Sequence, residues 1–140
     1  MKWLMMVYFD TNVLIYAFAK NIDDINQGEI ATKLLTKAIS TNTLIISEVI
    51  LCEFAFVSSK IEETKENIDD NLEFLSFYLR ESNLNISPRI LSLLRDTNLY
   101  KSSFDIYHLA FAEYYNASLI TFDKGFKKLK PFSKVEIIIK

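Results

Sequence analysis

Residues 102–126 read SSFDIYHLAFAEYYNASLITFDKGF, and the fold class turns on how this stretch is parsed. Its first half has helical spacing. Phe104, Tyr107, Phe111 and Tyr115 fall on one stripe, and Asp105, His108 and Ala112 on another at i, i+3, i+7. Ser103 suits the cap, so the spacing predicts a helix over 104–115 that is buried on much of its circumference. Residues 118–122 (SLITF) then form a short continuous apolar run, which suits a strand buried on both faces of a parallel sheet. Asp123 follows that strand directly.

Outward from this unit the same alternation recurs. Residues 4–9, 43–46 (TLII) and 135–139 (VEIII) read as strands, and 84–86 as a short, weaker one. Helical patterns fill the gaps. Residues 27–40 place Ile30, Leu34, Leu35 and Ala38 on one face, 48–60 follow a Ser47 cap, 63–80 are amphipathic, and Pro88 opens a helix reaching about residue 100. Asp10 suits the cap of a further helix starting near Asn12. Strands alternating with helices predict a three-layer α/β/α domain over residues 1–140, with a parallel sheet of about five strands.

Composition removes several classes of chemistry. The chain has 140 residues, a single Cys, a single His and two separated glycines. One Cys excludes a disulfide framework and multi-Cys zinc sites, and it suits a reducing cytoplasm. Two separated glycines exclude both the GxGxxG dinucleotide fingerprint and the phosphate-binding P-loop. A net charge of −2 argues against binding nucleic acid through bulk positive charge. The opening MKWLMMVYF is apolar but runs into Asp10 without a small-residue cleavage site, so it reads as a buried first strand. No stretch is long enough to span a membrane. Carboxylate is what remains in quantity, at eighteen Asp and Glu.

Four of these acids occupy unusual places. Asp10 and Asp123 each follow a buried strand, and ligands of open parallel sheets bind outside the carboxyl ends of the strands. Each also suits a local role, Asp10 as a helix cap and Asp123 in an Asx turn with Lys124 and Gly125. Glu53 has Val49, Ile50, Phe56 and Val57 one turn away, so its carboxylate projects from an apolar stripe and needs a partner or a cation. Asp105 sits in a first turn beside the small Ala112. If they meet, four ionised carboxylates require positive charge, and hard oxygen ligands suit Mg²⁺ or Mn²⁺. A cation so held supports in-line displacement at a phosphodiester.

These residues resemble a known family, the PIN-domain nucleases, and more narrowly the toxin component of VapBC-type toxin–antitoxin pairs. YFDTNVLIYAF resembles the first motif with Asp10, SEVILCEFAFV the second with Glu53, and SSFDIYHLAFAEYYNASLITFDKGF the joined third and fourth with Asp105 and Asp123. The resemblance implies cytoplasmic, Mg²⁺- or Mn²⁺-dependent RNA cleavage, a homodimer and a small antitoxin partner. Asp10, Glu53, Asp105 and Asp123 would be both metal ligands and catalytic residues, Asp123 having the most variable role. Around them, Thr11, Asn12 and Thr121 are placed to support the acids, His108 lies one turn from Asp105, and Lys124 heads a run with Lys127, Lys128 and Lys130 that suits RNA phosphates. An Arg or Lys of the partner pairing with the acids would hold the protein silent. Two rival readings are a non-catalytic RNA- or protein-binding module on the same scaffold, and an aspartyl phosphatase. Asn12 two residues after Asp10 disfavours the latter, which presents D-x-D there.

Overall fold

A computed structural model describes residues 5–140. Leu4, the first residue expected in the opening strand, and the residues before it lie outside the described part. Among the described residues four strands form one parallel sheet: β1 (Met6–Phe9), β2 (Leu44–Ile45), β3 (Ala117–Thr121) and β4 (Ile137–Ile139), in the order β2-β1-β3-β4. Among the described residues six helices cover it: α1 (Thr11–Phe18), α2 (Ile25–Ser40), α3 (Glu48–Lys60), α4 (Lys65–Ser76), α5 (Ser87–Thr97) and α6 (Ser103–Tyr114). The expected α/β architecture is present. Helix α1 packs on α2 and α3, α3 on α4, α5 on α6, and α6 along β3.

All five residues of β3 are buried, as a strand covered on both faces requires. Helix α6 buries Ile106, His108, Leu109, Ala110, Phe111 and Ala112, most of its circumference. Phe104, expected on its packing stripe, instead faces solvent at 65% exposure. The buried face of α2 is Gly28, Ala31, Leu35 and Ala38, so Ile30 lies outside the stripe expected for it.

The fifth strand is not where the sequence places it. Residues 84–86 form a 3-10 turn, capped by the Asn83 side chain, with Leu84 86% exposed. A rudimentary fifth position lies earlier, at Leu79. It makes a single parallel bridge to Ile46, with Ile46 N donating to Tyr78 O and Arg80 N to Ile46 O, both at 2.9 Å. The amphipathic helix of 63–80 is correspondingly shorter. Thr64 caps it, Glu62 is left-handed just before, and the helix stops at Ser76 so that residues 78–80 can extend along β2.

The topology positions the site. From β1 the chain winds to one side to make β2 and to the other to make β3, so the sheet changes direction between β1 and β3. That switch point opens a crevice at the carboxyl ends of the strands. The register sets Phe9 opposite Ile120, and Asp10 N donates to Ile120 O at 2.9 Å.

Candidate metal and catalytic site

Asp10 leaves β1 at this crevice and caps α1. Its Oδ1 accepts from Thr11 N at 2.8 Å, and its Oδ2 accepts from the Thr121 hydroxyl at 2.9 Å. The same Thr121 oxygen accepts from Asp123 N at 2.9 Å, so one buried hydroxyl joins the acids at the ends of β1 and β3. Asp123 closes the expected Asx turn, its Oδ1 accepting from Gly125 N at 2.8 Å. Any Cβ at Gly125 would stand 3.0 Å from that oxygen, so the tight turn favours glycine.

Glu53 reaches the same edge from α3. Its Oε1 accepts from the Thr11 hydroxyl at 2.9 Å and from His108 Nε2 at 2.6 Å. The sequence offered no partner for this carboxylate. The structure supplies two, from residues 42 and 55 positions away. Asp105 approaches in the first turn of α6 and accepts no hydrogen bond from the described residues. Asn12 Oδ1 takes the Phe122 N–H at 3.4 Å, tying the start of α1 to the end of β3. His108 is buried, at 1% exposure. Lys124 is exposed and opens a 3-10 segment (Lys124–Phe132), which Phe126 and Leu129 anchor in the core while Lys127, Lys128 and Lys130 face out.

The carboxyls act on one another electrostatically. Burial pushes the Asp105 carboxyl up to about 6, reinforced by the charges of Asp10, Asp123 and Glu53. Burial also raises Asp10 above its ordinary value, against the opposing pull of His108, Thr121 and Thr11. For Glu53, burial pushes upward but the bond and charge of His108, with the Thr11 bond, outweigh it and hold the carboxyl below its ordinary range. The His108 side chain favours the ionised form of all three carboxyls.

Among the described residues no group of three or more His, Cys, Asp and Glu side chains is arranged to hold a metal ion as it stands. Hydrogen bonds already fix two of the acids, Asp10 through Thr11 and Thr121 and Glu53 through Thr11 and His108. Their chemistry nonetheless suits a hard divalent cation: oxygen donors with unspent lone pairs, and a carboxyl raised by burial and, after it, by neighbouring like charges. A cavity of about 450 Å³, lined in part by Asp10, Thr11, Asn12 and Tyr16, opens beside Asp10. Another, of about 620 Å³, opens beside Glu53 and is lined by Val49, Cys52, Phe56 and Phe104.

One residue of this network was passed over in the sequence. The Tyr8 hydroxyl bonds His108 Nδ1 at 2.6 Å and Ser47 Oγ at 2.8 Å. The available signal was a tyrosine inside a buried apolar strand, two residues before Asp10, because a buried hydroxyl demands a partner.

The family model described as PIN domain matches residues 7–130, a span that contains all four acids. No curated protein matches the chain. Among solved structures, the chain is similar to VapBC2 from Rickettsia felis, solved bound to a DNA fragment from their promoter. The likeness covers 97% of this chain and 98% of that one, with 22% identity and a TM-score of 0.65. At that identity the likeness is one of fold.

Proposed function

The chain belongs to the PIN domain family, and on that premise we propose that it is a Mg²⁺- or Mn²⁺-dependent endoribonuclease, the toxin of a toxin–antitoxin pair. The observation that carries the reading is that Asp10, Glu53, Asp105 and Asp123 lie around the β1/β3 switch point, with burial, reinforced by the charges of Asp10, Asp123 and Glu53, raising Asp105 to about 6. These four residues would hold the cation, which when bound supplies an activated water and charge stabilisation at the phosphodiester.

The chain's own residues do the rest. Thr121 fixes Asp10 and the turn of Asp123 from one hydroxyl. Thr11 fixes Asp10 through its backbone and Glu53 through its side chain. Lys124 and the outward lysines after it bind and orient the RNA backbone. The toxin assignment is supported by the fold shared with VapBC2. It carries with it a small antitoxin partner, a homodimer and a cytoplasmic location. No helix among the described residues is long and apolar enough to cross a membrane.

The test is RNA cleavage by the purified chain with and without Mg²⁺ or Mn²⁺. Cleavage that requires the added ion and stops with chelator is expected. RNA binding without cleavage under every metal condition would replace this reading with the non-catalytic one.

A further inference from the structure

Glu53 is the acid whose placement needs most support. It sits half-buried on a helix, its side chain 31% exposed, where a free carboxylate would turn toward water. What holds it begins on its own helix. Ile50 N donates to Ser47 Oγ at 3.1 Å, Ser47 Oγ bonds the Tyr8 hydroxyl at 2.8 Å, Tyr8 bonds His108 Nδ1 at 2.6 Å, and His108 Nε2 bonds Glu53 Oε1 at 2.6 Å. We propose that Tyr8 and His108 are positioning residues, forming with Ser47 a buried hydrogen-bond path that leaves α3 at its cap, crosses β1 and α6, and returns to α3 to fix Glu53 for the cation. The proposal rests on the nuclease reading above.

The directions of these bonds are constrained. A carboxylate only accepts, so Nε2 carries a proton and donates. With a neutral imidazole, Nδ1 accepts from Tyr8, Tyr8 accepts from Ser47, and Ser47 accepts from Ile50 N. With an imidazolium, Nδ1 donates to Tyr8 and Tyr8 donates to Ser47. The tyrosine hydroxyl satisfies either state, and in both the Nε2–H stays on Glu53.

The ring itself is pinned. Its centroid lies 5.6 Å from that of Tyr8 and 5.7 Å from that of Tyr107, the latter edge-on. Both bonds to Glu53, from His108 and Thr11, fall on Oε1, leaving Oε2 without a partner among the described residues.

A role confined to stability explains less. A buried hydroxyl–imidazole pair gains little over apolar side chains of the same shape, whereas this one terminates on a partly exposed carboxylate at the sheet's open edge. What the path adds is orientation, and outer-shell partners of metal ligands typically change affinity or activity by about 10- to 100-fold.

The experiment compares the full chain with Tyr8→Phe, which keeps the ring and removes the hydroxyl. Mn²⁺ binding is read by electron paramagnetic resonance, folding by circular dichroism, and RNA cleavage as kcat and KM separately. The expected result is an unchanged fold, a Mn²⁺ dissociation constant raised about tenfold or more, kcat lowered to match, and KM within about twofold because neither residue reaches RNA. His108→Gln, which retains an N–H donor, is expected to bind Mn²⁺ more tightly than His108→Leu. A folded Tyr8→Phe protein that binds Mn²⁺ within twofold of the unaltered chain overturns the proposal. Should Tyr8→Phe fail to fold, equal Mn²⁺ affinity of the two His108 variants overturns it instead. If the unaltered chain binds no Mn²⁺, the nuclease reading fails and this inference with it. If it binds and Tyr8→Phe binds equally, only the positioning path fails.

Discussion

Asp10 is pulled in two directions: burial and the neighbouring Glu53 charge disfavour its ionised form, while Thr11, Thr121 and His108 favour it, and the net is a raised pKa. Asp10→Asn removes the charge and keeps the shape, and the Thr121 hydroxyl can rotate to accept from the new amide. Cleavage is therefore expected to fall at least a hundredfold, while the metal-free protein is expected to melt at a temperature equal to or above that of the unaltered chain, because repulsion is relieved. A large drop in the metal-free melting temperature would show that the charge stabilises the fold. Asp105 gives a pH dependence with a definite sign. Its folded-state pKa of about 6 lies above the ordinary 3.8, so the folded chain binds this proton more tightly than the unfolded one. Its stabilising contribution is complete below pH 3.8 and is lost as the pH rises through about 6. Mn²⁺ competes with that proton, so Mn²⁺ affinity should weaken as the pH falls below about 6, and the melting-temperature gain from added Mn²⁺ should shrink in step. A gain independent of pH between 5 and 8 would remove Asp105 from the site. The four candidate acids stand out in the sequence because each ends a strand or interrupts an apolar stripe. The hydrogen bonds between them were not, because Thr11 meets Glu53 and Tyr8 meets His108 across 42 and 100 residues, and the helix and strand periods that expose a single acid carry no information about such pairings.

At the scale of elements, the helices were legible where a cap and a stripe agree. Ser47 caps α3 at Ile50 N, and α3 runs over 48–60 as its spacing predicts. Legibility failed where a tertiary bond overrides local preference. The helical pattern continues past Ser76, yet Tyr78 O and Arg80 N pair with Ile46 across the sheet, and that edge pairing ends α4 and displaces the fifth strand position to Leu79. The carboxyl-terminal elements are held by a comparable long-range device. Arg89 of α5 donates through Nε and Nη2 to the two oxygens of Glu113 on α6, at 2.6 and 3.1 Å, and through Nη2 to Phe132 O at 2.8 Å. Glu113 also accepts from Lys134 N at 2.9 Å, so one largely buried carboxylate ties both helices to the segment leading into β4. Glu113→Ala leaves the guanidinium without its main partner and is expected to cost about 2–3 kcal/mol in urea unfolding, with Mn²⁺ affinity unchanged because the clamp lies away from the four acids. Asp69→Ala breaks an exposed i,i+4 pair with Lys65 instead and should leave the urea midpoint where it is. Equal effects of the two substitutions would mean that Glu113 does not bind these elements together.

For the whole molecule the decisive quantity is the distribution of charge rather than its sum. The net charge is −2, yet residues 124–140 carry six lysines against one glutamate, and residues 61–81 carry seven acids against two bases. The fold sets the lysine-rich segment directly after Asp123, with Phe126 and Leu129 buried beneath it and Lys124, Lys127, Lys128 and Lys130 turned outward. A substrate phosphate drawn to the acid edge thus arrives beside the one strongly basic stretch of a mildly acidic chain, and RNA binding should depend on a few local contacts. Each contact to a single strand contributes about 0.7 to the slope of log affinity against log salt concentration. Three contacts give a slope of about −2 for kcat/KM, measured at fixed Mg²⁺ so that competition at the acids is constant. Lys124→Ala combined with Lys127→Ala should flatten that slope to about −0.7 and raise KM, while kcat stays within about twofold because neither lysine supports the four carboxylates. A slope left unchanged by the double substitution would place the RNA backbone elsewhere on the surface, and the nuclease reading would then need a different path for its substrate into the β1/β3 crevice.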